Sequence, residues 1–385
     1  MKIKIGIDAS RGRSGGAKAH LIGILEVAEP GKFGIQEVHV WCYSKLGNQL
    51  PKKEWLIIHT HPYFEKNIVF QLYWQYLLLR KELKNYECDG LLSIDAGTVY
   101  VHNPSVVMSR DMLSFEHSEI NRYKGLKNFV PWLRLYLLRL VQINSLKKAN
   151  SVLFLTDYAA KTIQSWSGAI KNYRIIHHGV GANFKTDRMV NPWPLDDKEP
   201  INCLYISNTA MYKHQWHVVK AFHLLRKEGY NVSIEFVGGG CGESKKRLLN
   251  AINKFDTKNE FTVVNEFLKH SDLPSKLSSA DIFIFASSCE NMPNTLVEAM
   301  SSGLPIACSN RGPMPEVLRD GGVYFNPEDP ESIFAAIKNL IEDKVLRNIV
   351  AEKAFRYSQE FSWERCSDET LGLLTETIRN FYRNE

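Results

Sequence analysis

The sequence predicts an α/β protein of two Rossmann-like domains, each a parallel sheet wrapped by helices. Three observations carry this. Short apolar runs alternate with helical stretches along most of the chain, as parallel strands with crossover helices do. The 385 residues suit two domains of roughly 150–200 residues each. A proline-rich, polar stretch without periodicity at 191–200 breaks the alternation near the middle. The expected division is therefore 1–190, 191–360 and a last helix, 361–385.

The first half opens with a strand at 3–7. The loop after it holds the paired Gly15 and Gly16 ahead of a helical run at 17–28. Glycines at such a turn let backbone approach a phosphate closely, although a plain flexible turn reads the same. The spacing Gly-x-Gly-x-x-Gly is absent, which weakens a dinucleotide reading. Residues 38–41, 55–58, 90–94 and 106–108 read as strands. A helix at 69–83 is crowded with Phe70, Tyr73, Trp74 and Tyr76. The stretch 124–150 combines helical leucine periodicity with Lys124, Lys127, Arg134, Arg139, Lys147 and Lys148. Two readings stay open for it: a helix that meets a membrane surface or an acceptor, and an amphipathic domain helix with a solvated face. A strand at 151–156 ends at Thr156 and Asp157, which cap the next helix. The strand at 173–176 runs into His177 and His178, which have no partners at metal-ligand spacing.

The second half begins with a strand at 201–206, a polar loop containing Ser207, Asn208 and Lys213, and a helix to about 227. A strand at 232–237 ends in Gly238, Gly239 and Gly240, and one at 261–264 leads to Phe267 and Leu268. A helix at 272–280 precedes the apolar run 281–285, which has the composition of a fully buried parallel strand. Helices follow at 330–343, 344–357 and from Trp363 to 381.

Composition bounds the function class. Apolar content of 44% and charged content of 23% are ordinary for a globular protein. No stretch reaches 18 uninterrupted apolar residues, and the start lacks the pattern of a signal peptide. The seven cysteines are scattered and never form Cys-x-x-Cys, which points to reduced thiols in a cytoplasm. The formal charge of +6 is uneven. Residues 1–190 hold 26 basic and 15 acidic residues, 26 − 15 = +11, and the remainder holds 22 and 27, 22 − 27 = −5. A basic first half suits an anionic partner such as a membrane surface or a diphosphate-bearing acceptor, and equally a merely soluble surface.

The chemistry concentrates between Ala286 and Met300. A polar loop carrying Glu290, Asn291 and Met292 turns at Pro293, and a helix follows with Leu296, Val297, Ala299 and Met300 on its apolar face. Asn294 and Thr295 are of N-cap type, and Glu298 is placed in the first turn, where a carboxylate suits the helix dipole. Gly303 and Pro305 end the helix. Free N–H groups at such a helix start form a ready anion site.

The two carboxylates, Glu290 and Glu298, with Pro293, Leu296, Ala299, Met300, Gly303 and Pro305 around them, resemble the signature of retaining family-4 glycosyltransferases of the GT-B fold. The resemblance is specific over most of the second half and looser over the first. It implies two domains facing across a cleft, a first that binds the acceptor and a second that holds a nucleotide-sugar donor, a UDP-, GDP- or ADP-sugar, with the last helix, 361–385, crossing back to the first. Glu290 would contact the sugar hydroxyls and Glu298 the ribose, with Asn291, Met292, Pro293, Asn294, Thr295 and Leu296 lining the donor. Lys213 matches a lysine on the donor diphosphate, and Asn208 stands where the family has an arginine. Ser207, Gly239, Phe267 and Leu268 would border the nucleotide, and Gly15 and Gly16 its phosphates. Arg110, beside Asp111, stands where many relatives carry a histidine near the reacting carbon.

The expected reaction is transfer of a sugar to a hydroxyl with retention, in polysaccharide, O-antigen or lipid-linked glycan synthesis. Glu290, Lys213, Arg110 and Asp111 are the candidate catalytic residues. With no Asp-x-Asp pair in the sequence, no metal or other cofactor is expected. The expected partners are the nucleotide sugar and a glycan or lipid-linked acceptor, with peripheral contact to an anionic membrane and no nucleic acid. A non-catalytic nucleotide or sugar-phosphate binding module, and another doubly wound sugar-nucleotide enzyme, are the alternatives.

Overall fold

The computed structural model describes residues 2–13, 15–122, 129–185, 193 and 199–383. The chain divides into two compact units, Met1–Gly179 with Ser362–Glu385, and Val180–Phe361. The first unit contains β1 (Ile3–Asp8), β2 (Ile35–Trp41), β3 (Leu56–His59), β4 (Gly90–Ser93), β5 (Ser105–Met108), β6 (Ser151–Phe154) and β7 (Tyr173–Ile175). All pair in parallel, in the order β3-β2-β1-β4-β5-β6-β7. The helices between them are α1 (Gly15–Val27), α2 (Ser44–Gly47), α3 (Ile68–Tyr73), α4 (Leu79–Asn85), α5 (His117–Asn121), α6 (Phe129–Lys148) and α7 (Asp157–Ser167). β4, β5 and β6 are buried at every residue, as expected of strands covered on both faces.

Two expectations change here. Gly15 and Gly16 open α1 instead of preceding it. The single helix expected at 69–83 is α3 and α4 joined by a π-helical turn at Trp74–Leu78. The wider turn re-aims the side chain within it. Gln75 is buried there, donates to the Asp8 carboxylate at 2.6 Å and accepts from the Val99 N–H at 3.2 Å.

The second unit contains β8 (Ile201–Ile206), β9 (Val232–Val237), β10 (Thr262–Asn265), β11 (Ile282–Phe285), β12 (Ile306–Ser309) and β13 (Val323–Phe325), in the parallel order β10-β9-β8-β11-β12-β13. Its helices are α8 (Gln215–Lys227), α9 (Gly242–Phe255), α10 (Leu273–Ser278), α11 (Asn294–Ser301), α12 (Met314–Leu318), α13 (Pro330–Glu342) and α14 (Lys344–Ser358). α9 has no counterpart in the sequence reading, which passes from Gly240 to 261 without an element. Its buried residues Leu248, Ala251 and Ile252 follow the i, i+3, i+4 spacing of a helix face.

The boundary falls at Gly179/Val180, earlier than the 190/191 read from the proline-rich stretch. Residues 182–184 form a turn whose Phe184 carbonyl accepts from Ser302 at the end of α11, at 3.4 Å, so they pack with the second unit. Of the stretch 191–200, residues 191, 192 and 194–198 lie outside the described residues. The chain re-enters the first unit after Phe361, whose carbonyl accepts from the Val180 N–H at 3.3 Å.

The last helix, α15 (Trp363–Arg383), packs on α1 and on β4, β5 and β6. Glycine makes room for it. A Cβ at Gly23 would lie 2.4 Å from the Trp363 ring, and one at Gly90 would lie 2.6 Å from Ile378. Thr377 Oγ1 also donates to Ser151 Oγ at 2.8 Å. Among the described residues, no helix is long and apolar enough to cross a membrane, and no group of three or more His, Cys, Asp or Glu is placed to hold a metal ion.

Gly23→Ala should drive a methyl into the Trp363 ring and destabilise the protein by about 1–3 kcal/mol, seen as a lower melting temperature. An unchanged melting point would show that the α1–α15 contact is slack.

A second outcome concerns His20 and His178, which are buried with their Nδ1 atoms in contact beside Trp363. Burial pushes both imidazoles well below their usual range, and the nearby Arg110 guanidinium adds to this. The unfolded chain therefore takes up protons near pH 6.5 that the folded chain refuses. Stability is full above that pH and falls as pH drops through about 6.5, by up to about 1.4 kcal/mol per pH unit and imidazole. Urea melts between pH 7 and 5 should show this slope, and His20→Gln/His178→Gln should flatten it. An equal slope in the variant would place the effect in His39, His59 and His102, which burial also lowers.

Candidate active site

In an open parallel sheet, ligands bind beyond the carboxyl ends of the strands where the strand order reverses. In the second unit that point lies between β8 and β11, which are neighbours in the sheet although the chain passes through β9 and β10 between them. The loop after β8 carries Lys213 and the loop after β11 carries Glu290. The two side chains, 77 residues apart in sequence, form an ion pair. Lys213 is 7% exposed, and its ammonium stands 5.3 Å from the ring centres of both Phe285 and Tyr212.

The surrounding loops hold this pair in place. The Tyr205 hydroxyl donates to the Lys213 carbonyl at 2.7 Å. The Ser288 N–H donates to the Tyr212 carbonyl at 2.8 Å, and Ser288 Oγ is hydrogen-bonded to His214 Nε2 at 2.8 Å. His214 has a left-handed backbone (φ +51°). That conformation costs a non-glycine residue of order 1 kcal/mol or more, and it is held here by the surrounding bonds. The loop after β12 closes the side: a Cβ at Gly312 would lie 3.9 Å from the Glu290 nitrogen and 3.8 Å from the Ser288 oxygen.

α11 begins directly at this crevice, with a different start from the one expected. Pro293 occupies the N-cap and no side chain caps the helix, so neither Asn294 nor Thr295 has that role. Proline brings no capping oxygen, and Asn294, the first residue after it, is already helical. Glu298 is consequently the fifth helical residue, in the second turn and not the first. It is 9% exposed and lies on the same face as Asn294, one turn away. Among the described residues, the buried Oδ1 of Asn294 has no hydrogen-bond partner. Asn291, Met292, Pro293 and Leu296 are buried, and Thr295 is half-buried.

The glycine run after β9 has a geometric reason. Gly238 has φ +126°, and a Cβ there would lie 2.4 Å from the Ser207 oxygen. Gly240 bridges to Thr209, and a Cβ at Gly239 would lie 3.0 Å from the Glu266 oxygen. Three loops thus meet backbone to backbone. Ser207 is half-buried with its Oγ 3.1 Å from Gln215 Nε2, while Asn208 is exposed. Phe267 is 77% exposed and Leu268 is half-buried.

The first unit holds the remaining sequence-selected residues. Gly15 is exposed, and a Cβ there would meet nothing within 4 Å, so packing does not require a glycine. Arg110 follows β5. One of its guanidinium nitrogens is buried without a hydrogen-bond partner among the described residues. Burial lowers Arg110 to about 10, with the Asp95 carboxylate opposing the shift. Asp111 accepts from the Leu113 N–H at 3.1 Å and from Gln142 Nε2 at 3.4 Å, so its oxygens anchor their own turn to α6.

Sequence reasoning missed Ser288, His214, Thr209 and Gly312. No spacing rule joins them to Lys213 or Glu290. The available signal was the Gly312-Pro313 pair, a turn marker in the loop after a strand.

Comparison with known proteins agrees with this architecture. Residues 187–357 match the family model for glycosyl transferases group 1. The O-antigen chain mannosyltransferase B of Escherichia coli is 33% identical over 105 residues, 27% of this chain and 28% of that protein. The chain thus aligns with about a quarter of that relative's length. The solved structure of Anabaena Alr3699/HepE in complex with UDP superposes with a TM-score of 0.73 at 18% identity, covering 97% of this chain and 100% of that one. WaaG, a glycosyltransferase involved in lipopolysaccharide biosynthesis, gives a TM-score of 0.73 at 15% identity, covering 97% and 100%. The chain is GT-B in fold, and the second of its two Rossmann-like units carries the stretch that matches glycosyl transferases group 1.

Proposed function

We propose that the chain is a retaining glycosyltransferase. On this reading it moves a sugar from a UDP-, GDP- or ADP-sugar to a hydroxyl of a growing or lipid-linked glycan, at the inner face of the cell membrane. The observation that carries it is the Lys213–Glu290 ion pair in the crevice between β8 and β11, beside the start of α11. The family match to residues 187–357 and a GT-B structure with UDP support the donor class.

The pair suggests a sequence of events. An arriving diphosphate competes for the Lys213 ammonium and frees the Glu290 carboxylate for the hydroxyls of the sugar. As the glycosidic bond breaks, negative charge grows on the leaving phosphate. Lys213 and the N–H groups at the start of α11 stabilise it there, without a metal ion in that role. The acceptor hydroxyl attacks from the side the phosphate leaves and gives up its proton to it, which retains configuration. Glu298 accepts from the ribose hydroxyls. Arg110, a cation in the first unit, neutralises an anionic acceptor.

Incubation with radiolabelled UDP-, GDP- and ADP-sugars tests the reading. Transfer, or slow hydrolysis with retained configuration, is expected for one of them. Binding without turnover would instead identify a nucleotide-binding module, the reading that Asn208 and Arg110 favour by replacing an expected arginine and histidine.

The two glutamates should separate. Glu290→Gln removes the carboxylate that competes for Lys213, so nucleoside diphosphate should bind as well as before or a few-fold tighter while turnover falls by about 100-fold or more. Glu298→Ala should weaken nucleoside diphosphate and donor alike by about 1–3 kcal/mol. Calorimetry and steady-state kinetics on each variant decide. Loss of nucleotide binding in Glu290→Gln would overturn the assignment.

A further inference from the structure

We propose that His214 is a positioning residue: through Ser288 it keeps the Lys213 ammonium in the crevice once a diphosphate has taken that ammonium from Glu290. Local structure alone does not demand a histidine at this place. Residue 214 ends the short turn Met211–Lys213 and stands at the N-cap of α8 with φ +51°. Glycine takes such a conformation freely, and serine, threonine, asparagine or aspartate would cap the helix. His214 makes no capping bond and is fully buried. The helix start therefore does not account for the imidazole.

The loop after β11 does. The Ser288 N–H donates to the Tyr212 carbonyl at 2.8 Å. Ser288 Oγ donates to the same carbonyl at 3.3 Å and lies 2.8 Å from His214 Nε2. With its one proton given to the carbonyl, the hydroxyl accepts from the imidazole N–H. Tyr212 and His214 are the two neighbours of Lys213, so one serine grips the chain on both sides of the lysine. A single bond between two loops is a hinge, whereas bonds on both sides of a residue also stop its rotation. The imidazole is held in turn by His217. The two rings stack with centres 5.6 Å apart, and His217 Nδ1 donates at 3.0 Å to the carbonyl of Pro327, in the loop after β13.

The ion pair makes this clamp necessary. Lys213 and Glu290 hold their loops together only while they hold each other. An anion that binds Lys213 opens the pair, and the lysine then loses the one charged group that kept it turned inward. The Ser288–His214 bond includes neither charged side chain, so opening the pair leaves it intact. It keeps the backbone of Lys213 facing the crevice while the ammonium changes partners. That the anion is a nucleoside diphosphate rests on the proposed function, whereas the clamp itself is measurable without a ligand.

Glu290→Gln opens the pair without a ligand, and the reactivity of the Lys213 amine then reads the clamp. The full chain is acetylated with acetic anhydride and Lys213 is followed by mass spectrometry. Labelling should rise a few-fold in Glu290→Gln, and equally in His214→Leu, which keeps bulk at the site and loses the N–H. In Glu290→Gln/His214→Leu it should rise about thirtyfold or more, beyond the product of the two single changes. His214→Gln keeps an amide N–H near the place of Nε2, so Glu290→Gln/His214→Gln should label no faster than Glu290→Gln. Ser288→Ala removes the same bond from the other loop and should reproduce His214→Leu, which keeps the test decisive if that variant does not fold. With Glu290 in place, His214→Leu should weaken whichever of UDP, GDP and ADP the wild type binds by about fivefold or more in calorimetry. The proposal is overturned if the double variant labels no faster than the product of the singles, or if His214→Leu and His214→Gln behave alike. A wild type that binds none of the three diphosphates, with the labelling as expected, would sink the donor reading alone. Equal nucleotide binding by the wild type and His214→Leu would sink the positioning role alone.

Discussion

A lysine ammonium withdrawn from water needs an anion beside it, and that need organises the second unit. An unpaired buried charge costs several kcal/mol, so Lys213 at 7% exposure is stable only with Glu290 in reach. Glu290 comes into reach only because β8 and β11 are sheet neighbours. That adjacency needs a chain that leaves β8, builds the β9–β10 side of the sheet and returns to the other side of β8. The hydrogen bonds of Ser288 to Tyr212 and His214 then fix the two loops relative to each other, and that of Tyr205 holds Lys213 in its own loop. The polar crevice is thus a product of strand order, and its electrostatics follow from one reversal in the winding of the sheet.

Most strands were legible in the sequence because parallel strands buried on both faces are written as uninterrupted apolar runs. β8, β9 and β11 match their expected bounds to within a residue. Glu290 and Lys213 were also legible as charged residues in loops after strands, but their pairing was not, since a contact across 77 residues leaves no local pattern. The start of α11 was misread because Asn294 and Thr295 have the chemistry of caps, whereas Pro293 holds the boundary position. The π turn was hidden for a related reason. One extra residue in a turn changes where Gln75 points without changing the apolar pattern around it.

The two units use the same sheet winding for different electrostatic ends. In the second, the buried cation is neutralised by a carboxylate, Glu290, on the neighbouring loop. In the first, Arg110 is lowered by burial to about 10 and still carries its charge at neutral pH, with Asp95 near it and a buried nitrogen lacking a partner among the described residues. The uncharged His20–His178 pair beside it adds no countercharge. One unit therefore holds a paired cation and the other a cation with one buried nitrogen unmatched among the described residues.

The place of α15 in the chain also constrains how the protein is made. Residues 180–361 are contiguous and can fold as they leave the ribosome, whereas the first unit takes its last helix from sequence that follows them. Until α15 is synthesised, α1 and one face of β4, β5 and β6 lack their cover. Domains generally fold in the order of synthesis, and exposed apolar surface on an unfinished domain is prone to aggregation. Here the unit begun first is completed last, so the interval in which the second unit is translated is when the nascent chain most needs a chaperone.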